Sequence, residues 1–467
     1  MGGTPTQGAD GDGFVGGPVV DLRIGPGVPP RLRSVVERVG RAVFDAADPG
    51  AALGRAWDRA LEEGLIPSGP ATVLAVGKAS VKMARVGLDR LGDRVVGGCV
   101  VCPGEHEARA RALLGGLPLE VYGADHPLPT ARNVRAGAGV AGCARRAPGP
   151  VVVLLSGGGS AYLTSPADGI DLAGLSALTD ALLRSGAAIT ELNAVRKHLE
   201  TLKGGGLAAL VAGGAEPRRL VCFVLSDVLG DPLDAIASGP TAPDPTTFGE
   251  ALEVVRSRGV EGVCPAATER LRRGARGEIE ETPGPGDAPF ERVANRVIAN
   301  NAGAARAAAG ALRGLGYAVR GPELKTQGEA AGVGRELARA VLDLPGDGPA
   351  AVVLGGETTV SVGGAAGIGG RNQELALAGG VEVGRLGASV GCAVVSLATD
   401  GVDGPTDAAG AACDGGLVAR ARGAGVDVDG ALARHDSHTA LDRLGALLRT
   451  GPSGTNVNDV MVGVRGL

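Results

Sequence analysis

From about Arg31 onward the chain alternates between two hydrophobic rhythms. Short, near-continuous apolar runs occur at Thr72–Val76, Val95–Val101, Val151–Leu155, Leu220–Leu225, Ala351–Leu354 and Ala393–Ala398. Runs that are apolar at nearly every position predict strands buried on both faces, as in parallel sheets covered by helices. Between them, segments such as Leu172–Ser185 and Ala302–Leu315 repeat their apolar residues every three or four positions, which predicts amphipathic helices. Strands and helices in alternation predict an α/β fold with mainly parallel sheets.

A length of 467 residues is too great for one ordinary core, so the pattern is divided into two α/β domains. The acidic, Pro/Gly-rich stretch Gly274–Pro289 (GARGEIEETPGPGDAP) reads as the link between them. This predicts an N-terminal domain at 31–273, a linker at 274–289 and a C-terminal domain at 290–467. Met1–Pro30 is rich in Gly, Pro and Asp, and predicts a disordered tail.

The net charge of −5 offers no polybasic face, which argues against nucleic acid or an anionic membrane as the main partner. No apolar run approaches the roughly 18 residues of a membrane span, and no basic, apolar leader opens the chain. Seven scattered cysteines fit reduced, buried thiols. Cys99 and Cys102 form a CxxC without a second pair for zinc, and also read as buried thiols. A cytoplasmic protein is expected, and a homo-oligomer is compatible with the sequence.

Polar chemistry follows the strands. Lys78 comes after the first run, Ser156 and Gly157–Gly159 after Val151–Leu155, and Asp227 after Leu220–Leu225. Glu357 comes after Ala351–Leu354, and Asp400 after Ala393–Ala398. Ligands of open parallel sheets bind beyond the carboxyl ends of the strands, so these ends predict a small-molecule site.

Individual motifs carry alternatives. In LLSGGGSA, Ser156, Gly157, Gly158, Gly159 and Ser160 either cradle a phosphate or carboxylate, or make a tight strand-to-helix turn. ITELNAVRKHLETLKGGG places Asn193, Arg196, Glu200 and Lys203 on roughly one helix face, as a site or as a solvated flank. Asp227, Asp400 and Asp403 are oxygen donors suited to Mg²⁺ or to accepting a proton; loop caps would look the same. His126, in DHPLP, either touches a substrate anion or is structural. The run GGETTVSVGGAAGIGGRNQELALA sets Gly367, Gly369 and Gly370 before Arg371 at a predicted helix start, a pattern suited to an anion. Only five of the 46 basic residues are lysine, so a retained lysine hints at a need for a compact ammonium. No G-x-x-x-x-G-K-[ST] occurs, and neither G-x-G-x-x-G match, Gly11–Gly16 or Gly137–Gly142, follows a strand run as the dinucleotide fingerprint requires.

With these residues in view, the chain resembles the glycerate 2-kinase family, in which a C-terminal MOFRL domain follows a Rossmann-like domain. The matching motifs include VLAVGKAS, DHPLPTARN, LLSGGGSA, SGAAITELNAVRKHLETLKGGGLA, LSDVLGDPLDAIASGPTAPDPTTF, ATDGVDGPTDAAGA and TGPSGTNVNDV, in the family's order. The resemblance implies ATP-dependent phosphorylation of D-glycerate on its 2-hydroxyl, with ATP and Mg²⁺, in an active site between the domains. It assigns the catalytic lysine to Lys78 and the catalytic arginine to Arg371. One departure is His435-Asp436-Ser437-His438, where the family usually reads Asn-Asp-Ser-Tyr. Two rival classes stand beside it: an oxidoreductase acting on hydroxypyruvate, which lacks its dinucleotide fingerprint here, and a metabolite-binding protein that would have lost the two cations.

Overall fold

Two sheets organise the chain in the computed structural model, which describes residues 20–66, 68–364, 367–387 and 391–467. Among these residues thirteen strands are formed: β1 (Arg23–Ile24), β2 (Ala71–Val76), β3 (Val95–Pro103), β4 (Glu120–Ala124), β5 (Val151–Leu155), β6 (Leu220–Leu225), β7 (Val293–Ala299), β8 (Ala318–Thr326), β9 (Ala350–Gly356), β10 (Cys392–Ala398), β11 (Gly410–Asp414), β12 (Leu447–Arg449) and β13 (Asp459–Arg465).

The first sheet has the order β4-β3-β2-β5-β6-β7, and every neighbouring pair is parallel. Its central strands β2, β5 and β6 are buried at every position, as their unbroken apolar runs require. Leu74, Val153 and Cys222 face one apolar cluster, and Ala75, Leu154 and Phe223 face another, so helices cover both sides. Helices Leu172–Arg184, Ile189–Leu199, Phe248–Ser257 and Pro265–Ala275 bury a separate satellite core.

The second sheet, ordered β1-β12-β11-β10-β13-β9-β8, departs from the expectation of mainly parallel strands: only β8 and β9 run parallel. Runs buried on both faces look alike in either orientation, so the apolar pattern carried no signal for direction. The consequence matters for the site. Antiparallel β13 begins at Asp459, opposite Gly356 at the end of β9 and Ala398 at the end of β10. A strand start thereby joins the polar edge formed by strand ends.

The division between the lobes also differs from the expected boundary. The Pro/Gly-rich stretch stays against the first lobe, where Asp244 donates its N–H to Pro283 and Glu281 accepts from the Phe248 N–H. The chain then completes the first sheet with β7, and crosses only at Asn300–Asn301, where Asn300 caps the helix Asn301–Gly314. Acidity and proline marked an irregular segment, but pairing of the strand after it decides which lobe owns it.

The expected tail is divided as well. Residues 1–19 lie outside the described residues, whereas β1 pairs with β12 through Arg23 and Ile24. Gly27 allows this approach: a Cβ there would lie 1.9 Å from the Leu444 carbonyl oxygen. The helix Pro30–Ala47 then packs on the helix Asn301–Gly314 of the second lobe. At Asp48, which caps the helix Pro49–Glu62 and pairs with Lys82, the chain enters the first lobe. The first lobe is therefore an insertion within the second.

Candidate active site

The site begins with the turn after β2. Gly77 has φ 119°, and a Cβ there would lie 2.3 Å from Ser156 Oγ, so only glycine lets the two loops touch. Ser156 Oγ accepts the Ala79 N–H at 3.0 Å and donates to the Val76 carbonyl, while the Lys78 N–H reaches Gly157 O at 3.0 Å. Ser156 is buried with its hydroxyl in use, which makes it a tie between loops rather than a ligand contact. Its work leaves the exposed Lys78 side chain fixed at its root and, among the described residues, without a carboxylate in salt-bridge range.

Asp227, at the end of β6, lies against the same loop: a Cβ on Gly157 would meet its Oδ2 at 2.4 Å. Burial raises its carboxyl above the usual range, Glu357 of the second lobe raises it further, and Lys78 opposes both. Asp400, beyond β10, is also raised chiefly by burial, while Arg371 and Lys78 act to lower it. Its Oδ1 accepts the Val402 N–H at 3.1 Å. Lys78 therefore acts on carboxylates of both lobes. It also pulls the exposed His126 imidazole below its ordinary value, second to desolvation.

Arg371 is the first residue of the helix Arg371–Arg385. Its Nε donates to Asp459 Oδ2 at 2.6 Å and its Nη2 to Oδ1 at 3.1 Å, a two-pronged contact that fixes the plane of the guanidinium. Its Nη1 lies 3.0 Å from Glu357 Oε1. Asp459 is fully buried, which pushes its carboxyl up to about 6, with Arg371 holding it down. Burial works against the charge on Arg371, but Asp459 and Glu357 outweigh it and hold the guanidinium above its ordinary value. Within TGPSGTNVNDV nothing local singles out Asp459 beyond the one available signal, a carboxylate heading an apolar strand, and its partner lies 88 positions away.

Asp403 takes a different place from the one expected. Its Oδ1 accepts from the Asn372 N–H at 3.0 Å and its Oδ2 from the Gln373 N–H at 2.8 Å, and both Asn372 and Gln373 side chains add further bonds. The helix is preceded by Gly370, which has no capping side chain, so Asp403 supplies the cap from another loop. With its oxygens occupied, it is not a metal ligand or base in this arrangement.

The glycine run is shaped by packing as much as by ligand access. A Cβ on Gly367 would strike Asp436, one on Gly369 would strike Ser437 Oγ, and one on Gly370 would strike Asp403. The Gly367 N–H donates to Arg434 O at 2.6 Å and the Ile368 N–H to Asp436 Oδ1 at 3.1 Å. Beside this loop lies a cavity of about 640 Å³, lined by second-lobe residues that include Glu357, Gly367, Gly369, Gly370 and Arg371.

The remaining expected residues lie behind the first-lobe turn. Ser160 and Ser238 hydroxyls are 3.0 Å apart, and Ser238 donates to the buried Asn193. Gly158 (φ 84°) and Gly159 pack against Tyr162 and Ala237. Lys203 is buried, 2.5 Å from the Glu200 carboxylate, and burial lowers its ammonium to about 8. It lies beyond the end of the helix Ile189–Leu199, buried against Glu200 and the Leu163 carbonyl rather than on an open helix face. Arg196 is half-buried, its Nε has no partner among the described residues, and it lines a small cleft of about 50 Å³ with Leu128 and Glu200.

All seven cysteines, including Cys99 and Cys102, are unpaired and buried. Among the described residues, no helix is long and apolar enough to cross a membrane, and no three His, Cys, Asp or Glu side chains form a ready metal cage. Asp227 and Asp400, one carboxylate from each lobe, still suit Mg²⁺, which usually takes one or two carboxylates and completes its shell with phosphate oxygens and water.

Comparison with known proteins gives a consistent pattern. Residues 35–272 match a domain of unknown function, DUF4147, and residues 350–459 match the MOFRL family. A glycerate 2-kinase of Pyrococcus horikoshii is 38% identical over 93% of this chain and 97% of its own length. A protein of Agrobacterium vitis bearing the provisional name hydroxypyruvate reductase is 41% identical over 84% of this chain and 98% of its own. The crystal structure of a Thermotoga maritima glycerate kinase superposes with a TM-score of 0.82 at 35% identity, over 94% of this chain and 100% of that one.

Proposed function

The chain belongs to the glycerate 2-kinase family, and from that membership we infer that it transfers the γ-phosphoryl group of ATP to the 2-hydroxyl of D-glycerate, giving 2-phospho-D-glycerate and ADP. The observation that carries the reading is the pair of cations. Lys78 stands exposed on the first lobe and Arg371 is clamped on the second, and both act on the Asp400 carboxyl. Phosphoryl transfer needs positioned positive charge far more than covalent chemistry, and a cation from each lobe supplies it.

The glycerate 2-oxygen forms the new bond to phosphorus, the bond to the β-phosphate oxygen breaks, and the hydroxyl proton passes to a carboxylate. Asp227 and Asp400 both suit that last role, because burial raises each toward the working pH of a general base. The same two carboxylates would hold Mg²⁺, which when bound neutralises phosphate charge. Glu357 and Asp459 act on Arg371 rather than on phosphate, since a carboxylate repels it. Arg196, half-buried beside the loop at Leu128, is suited to the substrate carboxylate. Buried unpaired thiols accord with a reducing, cytoplasmic setting.

The test is incubation of the purified protein with ATP, Mg²⁺ and D-glycerate, followed by phosphorus NMR. A 2-phosphoglycerate signal is expected. A 3-phosphoglycerate signal would keep the kinase and overturn the substrate pose. The name of the Agrobacterium relative favours a second reading, reduction of hydroxypyruvate, and oxidation of NADH or NADPH with that substrate would replace the kinase with it.

A further inference from the structure

Resting on this phosphotransfer reading, we propose that the cavity beside Arg371 receives the nucleoside end of ATP, and that His435, oriented by Glu374, contacts it there. The volume of about 640 Å³ lies in the usual range of small-molecule sites and is far more than a three-carbon acid would fill. Val360, Val362 and Pro405 supply apolar walls, whereas Glu374 and His435 add polar groups. That division suits a nucleoside, with apolar surface for the base and polar groups for ribose or amino substituents. Arg371, on the same lining, marks the end from which phosphates would leave toward Lys78.

Three observations single out His435. Its Nδ1 lies 3.0 Å from Glu374 Oε2, and Glu374 itself is only 3% exposed. The contact at Nδ1 fixes the orientation of the ring, and Nε2 has no hydrogen-bond partner among the described residues. The His435 backbone is held at φ 53°, a left-handed conformation that persists in a non-glycine residue only when its surroundings impose it. The surroundings are the glycine run: the Gly367 N–H donates to Arg434 O, and a Cβ at Gly367 would lie 2.2 Å from Asp436. The loop bearing His435 and the helix bearing Arg371 are thus fixed against each other.

The experiment compares the full-length protein with His435→Ala, His435→Asn and Val362→Trp. Val362 is 58% exposed, so a larger side chain there narrows the cavity without entering the core. We expect KM for ATP to rise roughly tenfold in His435→Ala, the loss of about one hydrogen bond, and by a similar factor in Val362→Trp. His435→Asn should recover most of the loss, and KM for glycerate should stay within about twofold throughout. Calorimetric affinity for ADP should fall in parallel, while inhibition by tripolyphosphate, which has no nucleoside, should not change. A rise in KM for glycerate instead would place the acid in this cavity. Equal losses for ADP and tripolyphosphate would make His435 a support for Arg371 and overturn the contact. Unchanged ADP affinity in both His435→Ala and Val362→Trp would overturn the site itself. If the wild-type protein binds ADP yet phosphorylates no glycerate, the functional reading fails, and the ADP series still decides this inference.

Discussion

The two lobes present their cations by opposite means. Lys78 is fixed through its backbone: its own N–H, the Ala79 N–H and the Gly77 turn are all tied to the Ser156–Gly157 loop, and the side chain is left exposed. Arg371 is fixed through its head group, by the two-pronged contact with buried Asp459 and by Glu357. The difference follows from the side chains. A guanidinium has a plane and five donors, so carboxylates can hold it while leaving N–H groups for a ligand. An ammonium is a compact charge with three donors and no plane, so a carboxylate holding it would take the face a ligand needs. One lobe therefore offers an adaptable charge and the other a rigid one.

Removing either charge should have the largest effect. Lys78→Ala and Arg371→Ala should each lower kcat by about 10²-fold or more in the phosphotransfer assay. The comparison is sharpened by exchange: Arg371→Lys should lose nearly as much as Arg371→Ala, because the planar fork is gone, while Lys78→Arg should keep measurably more. Equal tolerance at both positions would dissolve the distinction.

Breaking the rigid side alone is the next test. Asp459→Asn should reduce kcat by about tenfold or more, as half of a buried ion pair is lost. It should also remove an acid limb near pH 6 from the wild-type profile, since below about 6 the Asp459 carboxyl takes up a proton and its hold on Arg371 weakens. Stability runs the other way. The same carboxyl titrates near 3.9 when unfolded, so its raised value favours the fold below that range and the benefit is lost as pH rises through 6. Circular dichroism and rate measurements on the same samples separate the two trends.

On the adaptable side, Ser156→Ala leaves the buried Ala79 N–H without its acceptor. A cost of about 1–3 kcal/mol in denaturant unfolding is expected, with only a few-fold loss in kcat. The smallest effect belongs to Glu357→Gln. Its ion pair with Arg371 is 43% exposed on the carboxylate side, so solvent screens it, and the change in kcat should stay within about threefold.

Some of this was legible in the amino-acid order. Unbroken runs such as Val151–Leu155 and Leu220–Leu225 announce central strands because nothing polar can sit there, and the charged or glycine residues after them mark the polar edge. Strand direction in the second sheet was not legible, since burial on both faces is satisfied either way. Nor was β8, whose AVRGPELKT mixes exposed and half-buried positions without a clean period. The site was half legible. Lys78 and Arg371 stand out by type and motif, but the function of Asp403 depends on a helix that lacks its own cap, and that of Asp459 on an arginine distant in sequence. Roles created by a partner far along the chain leave no local trace.

The insertion of one lobe into the other has a consequence for synthesis. As the chain emerges from the ribosome, the helix Pro30–Ala47 precedes the first lobe and carries an apolar stripe of Val35, Val39, Val43 and Phe44. The helix it covers begins at Asn301, and β12, the partner of β1, ends at Arg449. The first lobe can be complete while that stripe is still uncovered. β1 and this helix must wait for partners translated only after the first lobe, so the stripe needs shelter from aggregation in the meantime.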